Sequence, residues 1–340
     1  MGMRGAAAGV AALAVGIVGG IAGMSAAAGV TAAPAAGGSI CAAPAAHKAL
    51  AARLSRDITK ALAGRKGTHA VTVHDRVTGL TCRLSEGHRF DSASVVKATI
   101  LAALLRWHQE TKRPLSAREQ RLATLMITQS DNDAATALWN EVGLARLQHF
   151  LDLAKMTETQ LNREGYWGLT QITARDELTL LRLLTSSNSV LSASSRTYQL
   201  GLMARVIPAQ RWGVPAGAPR YVTVYVKNGW LPLSDGWHIN SIGAFIGHGR
   251  DYMMVVLSDG NPTMDYGVTT VEAVAEAVHR DLNPGLAAAD TLPAANPGPE
   301  PSPDVAGPGP AGPRLCSARR PGRRPSASSC TGTRPRTPRR

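Results

Sequence analysis

The 340-residue chain has no internal repeat with a period of roughly 20–50 residues, which excludes solenoids and propellers. It has no sustained heptad pattern, which excludes a long coiled coil. Neither G-x-S-x-G nor H-E-x-x-H occurs, so the α/β-hydrolase elbow and the zincin helix are both missing. Cysteine is scarce, with four residues and no C-x-x-C pair, so no zinc site is indicated. The histidines His74, His108, His238 and His248 are scattered and read as structural or exposed rather than as ligands. No cofactor is implied. The length still suffices for one large domain or two small ones with a sizeable core.

Charge is missing altogether between Gly5 and His47. Arg4 precedes an apolar run reaching Met24, and small residues follow, as in Ala26-Ala27-Ala28 and Val30-Thr31-Ala32. That order is the pattern of a secretory signal, expected over residues 1–32. The alternative is a membrane anchor, but six glycines between Gly5 and Met24 make a poor fixed helix. Residues 33–43 read as a short linker. Cys41 follows Ser39-Ile40, without the small residue that precedes a lipidated cysteine. An exported chain can hold a Cys41–Cys82 disulfide at one sheet edge; two unrelated thiols are the alternative.

Residues 284–340 are rich in Pro, Gly, Ala, Ser and Arg and lack apolar periodicity, so they read as a disordered tail. Nine of the thirteen net positive charges lie in residues 305–340, which contain no acid. Such a segment can attach electrostatically to an anionic cell-wall polymer, or be a solvated extension. No aromatic residue interleaves with its arginines, so base stacking and specific nucleic-acid binding are not expected.

Residues 44–283 alternate helix and strand. Leu50, Leu54, Ile58 and Leu62 recur at helical spacing within Ala45–Ala63. Strands follow at Ala70–His74 and Leu80–Leu84, then a helix from Ser92 to His108 that is apolar nearly all round. Residues 116–205 read as helical, with breaks at Ser130–Asp133, Thr157–Thr173 and Ser186–Ser192. Strands return at Tyr221–Val226, Ile239–Ile246 and Tyr252–Leu257, and Thr269–Leu282 closes as an amphipathic helix. Strands from both ends of the chain imply an α/β (α+β sandwich) fold: an antiparallel sheet flanked by helices, plus an inserted all-helical lobe.

Three short motifs carry chemistry. Ser94-Val95-Val96-Lys97 puts a hydroxyl and an amine on one face of a helix, one turn apart. A neutral Lys amine can take the proton that keeps Ser a poor nucleophile, and the helix start offers free backbone N–H groups. Ser130-Asp131-Asn132 falls at an interhelical break, where it is equally suited to an N-cap or to proton relay and amide binding. Lys227-Asn228-Gly229 is expected to end a strand, either as a hairpin turn or as a cation beside a strand edge left open by glycine.

In this order the motifs resemble those of the class A serine β-lactamases and the related penicillin-binding D,D-peptidases. The resemblance covers residues 44–283 and implies an active site in the cleft between sheet and helical lobe. It implies Ser94 as the acylated nucleophile, Lys97 as its general base and Ser130 as the proton relay to the leaving nitrogen. It implies Asn132 as a ligand of the acyl side-chain amide and Lys227 as holder of the substrate carboxylate, whose charge favours neutral Lys97. The backbone N–H groups of Ser94 and Trp230 would form the oxyanion hole. Asn228 stands where the family has Thr or Ser, its amide still able to donate to a substrate in the cleft but not to relay a proton, and Trp230, after Gly229, is expected to narrow the cleft. Glu158-Thr159-Gln160-Leu161-Asn162 matches the E-x-x-L-N loop whose Glu activates the deacylating water, while Glu164 is nearer the expected place. Glu158, Glu164 or neither can hold that role. The implied partner is a small β-lactam or a peptidoglycan-like peptide, bound by a monomer.

Overall fold

The structure, a computed structural model, describes residues 39–294. Six strands form one antiparallel sheet. They are β1 (Cys41–Ala42), β2 (Thr68–Asp75), β3 (Leu80–Leu84), β6 (Thr223–Leu233), β7 (Gly236–Gly247) and β8 (Arg250–Asn261). Their spatial order is β1-β3-β2-β8-β7-β6, so N- and C-terminal segments meet where β2 pairs with β8. A small second sheet pairs β4 (Arg89–Asp91) with β5 (Gln171–Thr173).

Period-two alternation divides the core between the two faces. On β8, Met253, Val255 and Leu257 enter one cluster, while Tyr252, Met254 and Val256 enter the other. The second cluster lies under α1 (Lys48–Leu62) and α7 (Met264–Leu282), through Leu54, Ile58, Val271 and Val278. The first lies under the helical lobe: α2 (Val96–Thr111), α3 (Ala117–Thr128), α4 (Asn132–Ala154), α5 (Ala174–Thr185) and α6 (Ala193–Met203). α2 is buried at every position from Val96 to Leu105, as its nearly uniform apolarity requires. The hairpin between β7 and β8 turns at His248 (φ 50°) and Gly249 (φ 77°). Two successive left-handed residues are what a tight hairpin demands.

Three expectations are corrected. First, the folded unit is longer than 44–283. β1 falls inside the expected linker and pairs with β3, and Cys41 is disulfide-bonded to Cys82 across that pairing. Residues 284–294, expected to be disordered, pack back on the loop ahead of β6: Leu292 N donates to Ala218 O (2.8 Å), and Gly217 N to Leu292 O (2.9 Å). Second, Lys227-Asn228-Gly229 does not end its strand. β6 runs on to Leu233, with Asn228 opposite Ser241 and Gly229 opposite Asn240. Partnered backbone on β7 outweighs the local turn preference of Asn-Gly. Third, β4 and β5 are strands too short to read by periodicity. The expected leader (1–32) and the tail from residue 295 lie outside the described residues.

Candidate active site

Ser94 sits in a 3-10 turn (Ala93–Val95) leading straight into α2. Ala93, just ahead, has φ 45°, a left-handed conformation that a non-glycine residue adopts only under constraint. The constraint is visible. Ser92 N donates to Thr170 O (2.8 Å), Val95 N to Ser92 O (3.0 Å), and Asn240 Nδ2 to Asp91 O (2.8 Å). The turn is therefore held from the β5 side and from β7. Ser94 is fully buried, and its Oγ makes no hydrogen bond.

One helical turn along, Lys97 is buried within the apolar helix. Its Nζ donates to Ser130 O (2.6 Å), Asn132 Oδ1 (2.6 Å) and Ser130 Oγ (3.1 Å). Ser130 lies at the break between α3 and α4 with φ 59°, a second strained backbone in the same cluster. Asp131 caps α4 by accepting from Ala134 N (2.7 Å). Within S-D-N the cap role thus falls to Asp131, which leaves Ser130 and Asn132 to face Lys97. Lys227 reaches across from β6 and donates to the same Ser130 Oγ (2.9 Å) and to Asn228 O (2.8 Å). Four residues expected to converge, Lys97, Ser130, Asn132 and Lys227, form one hydrogen-bonded group beside Ser94.

Gly229 completes the contact between the strand and the Ser94 turn. A Cβ there would lie 2.6 Å from Ser94 N, 2.9 Å from Ser92 O and 3.0 Å from Ala93 Cβ. Glycine is required here because two backbones touch.

Asn228 and Trp230 point the other way. They share their strand face with Val224 and Val226, which belong to the α1/α7 core. Asn228 Nδ2 donates to Gln210 O (2.9 Å) and Trp212 O (2.8 Å), and its Oδ1 accepts from Ser241 Oγ (2.6 Å). The Trp230 indole is buried 6.0 Å from that of Trp212. Neither side chain faces the cleft, so the expected cleft role of the Asn228 amide and the narrowing by Trp230 are both corrected; their backbones remain in place.

Neither candidate carboxylate turns toward Lys97. Glu158 accepts from Thr173 Oγ1 (2.9 Å) and forms an ion pair with Arg175. Arg175 in turn pairs with Glu86 (3.1 Å). Glu164 is exposed; only its backbone nitrogen is engaged, by Asn162 Oδ1 (3.0 Å). What lies against Lys97 is Trp167, from a 3-10 turn (Trp167–Leu169), with Nζ 4.6 Å from its ring centroid. Trp167 is fully buried, and its Nε1 donates to Thr136 Oγ1 (3.1 Å) on α4. No motif marks this residue; a tryptophan inside a polar, Gly-containing loop is its only signal in the sequence.

Asp91, three residues before Ser94, has its carboxyl pushed up by burial, against opposing contributions from His238 and Gln171. His238 bridges it to Asp235, at 3.4 Å and 3.2 Å. Among the described residues, no cluster of three or more His, Cys, Asp or Glu is placed to hold a metal ion.

The fold that carries this cluster is shared with solved class A β-lactamases. A β-lactamase from Xanthomonas campestris pv. campestris superposes with a TM-score of 0.60 at 20% identity, covering 69% of this chain and 99% of that one. The TLA-3 extended-spectrum β-lactamase gives 0.61 at 16%, covering 67% and 98%. An ancestral class A β-lactamase gives 0.59 at 23%, covering 66% and 98%. The chain belongs to the beta-lactamase enzyme family, whose model matches residues 109–282. That match spans Ser130–Asn132 and Lys227–Gly229 and begins after Ser94 and Lys97. Among curated relatives, "Putative lipoprotein LppW" of Mycobacterium tuberculosis and Mycobacterium bovis is 28% identical over 212 residues, 60% of this chain and 67% of the relative. Family and fold together make the chain a hydrolase of the serine β-lactamase type.

Proposed function

We propose that the protein is an exported serine hydrolase that opens the β-lactam amide through an acyl-enzyme on Ser94. The observation that supports it most is the sharing of Ser130 Oγ by Lys97 (3.1 Å) and Lys227 (2.9 Å) beside a buried serine. A neutral Lys97 amine has two N–H groups; with these on Ser130 O and Asn132 Oδ1 (2.6 Å each), it gives up donation to the more distant Ser130 Oγ (3.1 Å) and carries one lone pair. That lone pair can take the Ser94 proton as Oγ attacks the carbonyl carbon. Contacts of this kind often tighten only when substrate is bound, so the absence of a Ser94 hydrogen bond is compatible with the step. Ser130, one hydroxyl between two amines, can pass a proton to the leaving nitrogen. Lys227 would hold the substrate carboxylate and Asn132 the acyl side-chain amide. The N–H groups of Ser94 and Trp230 would face the developing oxyanion, each typically worth about 2.7–4 kcal/mol in the transition state.

A second reading, a D,D-peptidase-like or other amide or ester hydrolase with slow acyl release, is favoured by the placing of Glu158 and Glu164. Neither stands ready to activate water at Lys97. Burst kinetics with a chromogenic cephalosporin separates the two. Sustained turnover supports a β-lactamase, and one stoichiometric burst supports the second reading. Replacing Ser94 with Ala should abolish labelling by a fluorescent penicillin; labelling that persists would refute acylation at Ser94.

Export is supported by the uncharged apolar stretch, by the Cys41–Cys82 disulfide, and by the description of the mycobacterial relatives as lipoproteins. A disulfide-bonded Cys41 cannot itself carry a thioether lipid. The Arg-rich tail would add electrostatic contact with anionic wall polymer.

A further inference from the structure

We propose that Trp167 is a positioning residue that sets the lifetime of the acyl-enzyme, by holding Lys97 toward Ser130 and keeping hydrolytic water off the side of the amine that the indole covers. The inference rests on the reading that Ser94 is acylated. Its structural basis is independent of that reading.

The indole meets Lys97 Nζ at 4.6 Å from its centroid, a direct contact with no room for an intervening water. The turn that carries it is tied to the Ser94 turn, since Ser92 N donates to Thr170 O (2.8 Å) and Ser92 Oγ lies within reach of Trp167 O (3.4 Å) and Gly168 O (3.3 Å) as well as of Ala93 O (3.2 Å). Its tilt is fixed from the other side by the Nε1 bond to Thr136 on α4. A residue held from two elements and fully buried does not swing aside readily. An indole N–H is a donor only and cannot accept a proton.

Release of the acyl group has a fixed balance. The oxygen of water bonds to the ester carbonyl carbon, the bond from that carbon to Ser94 Oγ breaks, and Oγ recovers the proton that the water gives up. The products are a carboxylic acid and free Ser94. Water must therefore stand beside both the ester and a base. Lys97 is the base next to Ser94, and one approach to it is filled by carbon. The acyl group then stays on the enzyme until another route supplies water or an acceptor amine. The first loop carboxylates along the chain from Trp167, Glu164 and Glu158, are respectively exposed and bonded to Thr173 and Arg175. Neither compensates.

The test follows the benzylpenicillin adduct by intact-mass spectrometry, during a short exposure and then after removal of free drug. Wild type, Trp167→Phe, Trp167→Ala and Thr136→Val are compared. Phe keeps an apolar ring in place and should retain the adduct as wild type does. Ala opens a path for water and should shorten the adduct's life by roughly tenfold or more, toward the range a working general base provides. Thr136→Val, nearly isosteric, frees the indole and should act in the same direction to a smaller extent. A gain in release rate is not something that damaged packing produces. If Trp167→Ala does not fold, Thr136→Val decides. One common release rate for all folded variants overturns the inference alone. Folded wild type that neither carries an adduct nor consumes benzylpenicillin overturns the reading of Ser94, and the inference with it; wild type that consumes the drug while holding no adduct overturns the inference alone.

Discussion

A Cβ placed on Gly229 would stand 2.6 Å from the backbone nitrogen of Ser94. The edge strand and the Ser94 turn are thus in backbone contact, and that contact fixes how far Lys227 reaches toward Ser130. Gly229→Ala must push one backbone away from the other. Overpacking of this kind typically costs about 1–3 kcal/mol. The variant should melt several degrees lower and acylate much more slowly, read by differential scanning calorimetry and by the rate of fluorescent-penicillin labelling. Unchanged labelling would show that the contact does not position the site.

Ser130 combines a left-handed backbone with a hydroxyl between two lysines. Ser130→Ala and Ser130→Gly both remove the hydroxyl, and both should lower the acylation rate by about 10²-fold or more. They differ only in backbone tolerance. Gly relieves the φ of 59°, so the Gly variant should be the more stable of the two by about 1 kcal/mol. Matched urea titrations test the difference.

Two buried groups should make stability depend on pH in a predictable way. Burial in the α1/α7 core brings the His279 imidazole down to about 4, against a smaller opposing effect of the Val214 carbonyl. The neutral ring accepts from Tyr252 OH (2.8 Å) and donates to Val214 O (2.8 Å). Below pH 6.5 the unfolded chain takes up a proton that the folded one refuses until near pH 4. Stability should therefore fall as pH drops through that window, by up to about 3 kcal/mol.

Glu177 has the opposite sign. It is fully buried with neither oxygen hydrogen-bonded, and burial followed by the neighbouring Asp176 raises it well above the carboxylate range. The folded chain keeps a proton that the unfolded chain loses above 4.5. Stability should decline as pH rises from there to the raised folded value. Glu177→Gln should abolish this part of the decline, which chemical denaturation across pH measures directly.

The Cys41–Cys82 disulfide closes a loop containing α1 and β2 and holds the two-residue β1 on the sheet. Reducing it, or replacing both residues with Ser, should lower stability by about 2–4 kcal/mol. Acylation at Ser94 should persist in the folded fraction, since both cysteines belong to the core on the α1/α7 side. Loss of labelling in fully folded, reduced protein would contradict that separation.

Much of the architecture is a property of the chain alone. α1 is amphipathic and α2 apolar all round because their side chains recur at helical or near-continuous spacing, and such patterns need no partner to be read. The order S-x-x-K, S-D-N, K-x-G likewise marks the residues that converge: Lys97, Ser130, Asn132 and Lys227 meet beside Ser94. Tertiary contact decided the rest. Asn-Gly is a turn signal in isolation, yet paired with Ser241 and Asn240 it runs straight through β6. On a strand, neighbouring side chains point to opposite faces, so placing Lys227 in the cleft obliges Asn228 and Trp230 to leave it. The partners that hold Asn228, at Gln210, Trp212 and Ser241, are distant in sequence and invisible to local pattern. The same holds for Glu158, drawn off by Thr173 and Arg175, and for Trp167, set against Lys97 from seventy positions away. Composition also misjudged residues 284–294, because a segment without periodicity can still be ordered by a few backbone bonds to the loop ahead of β6.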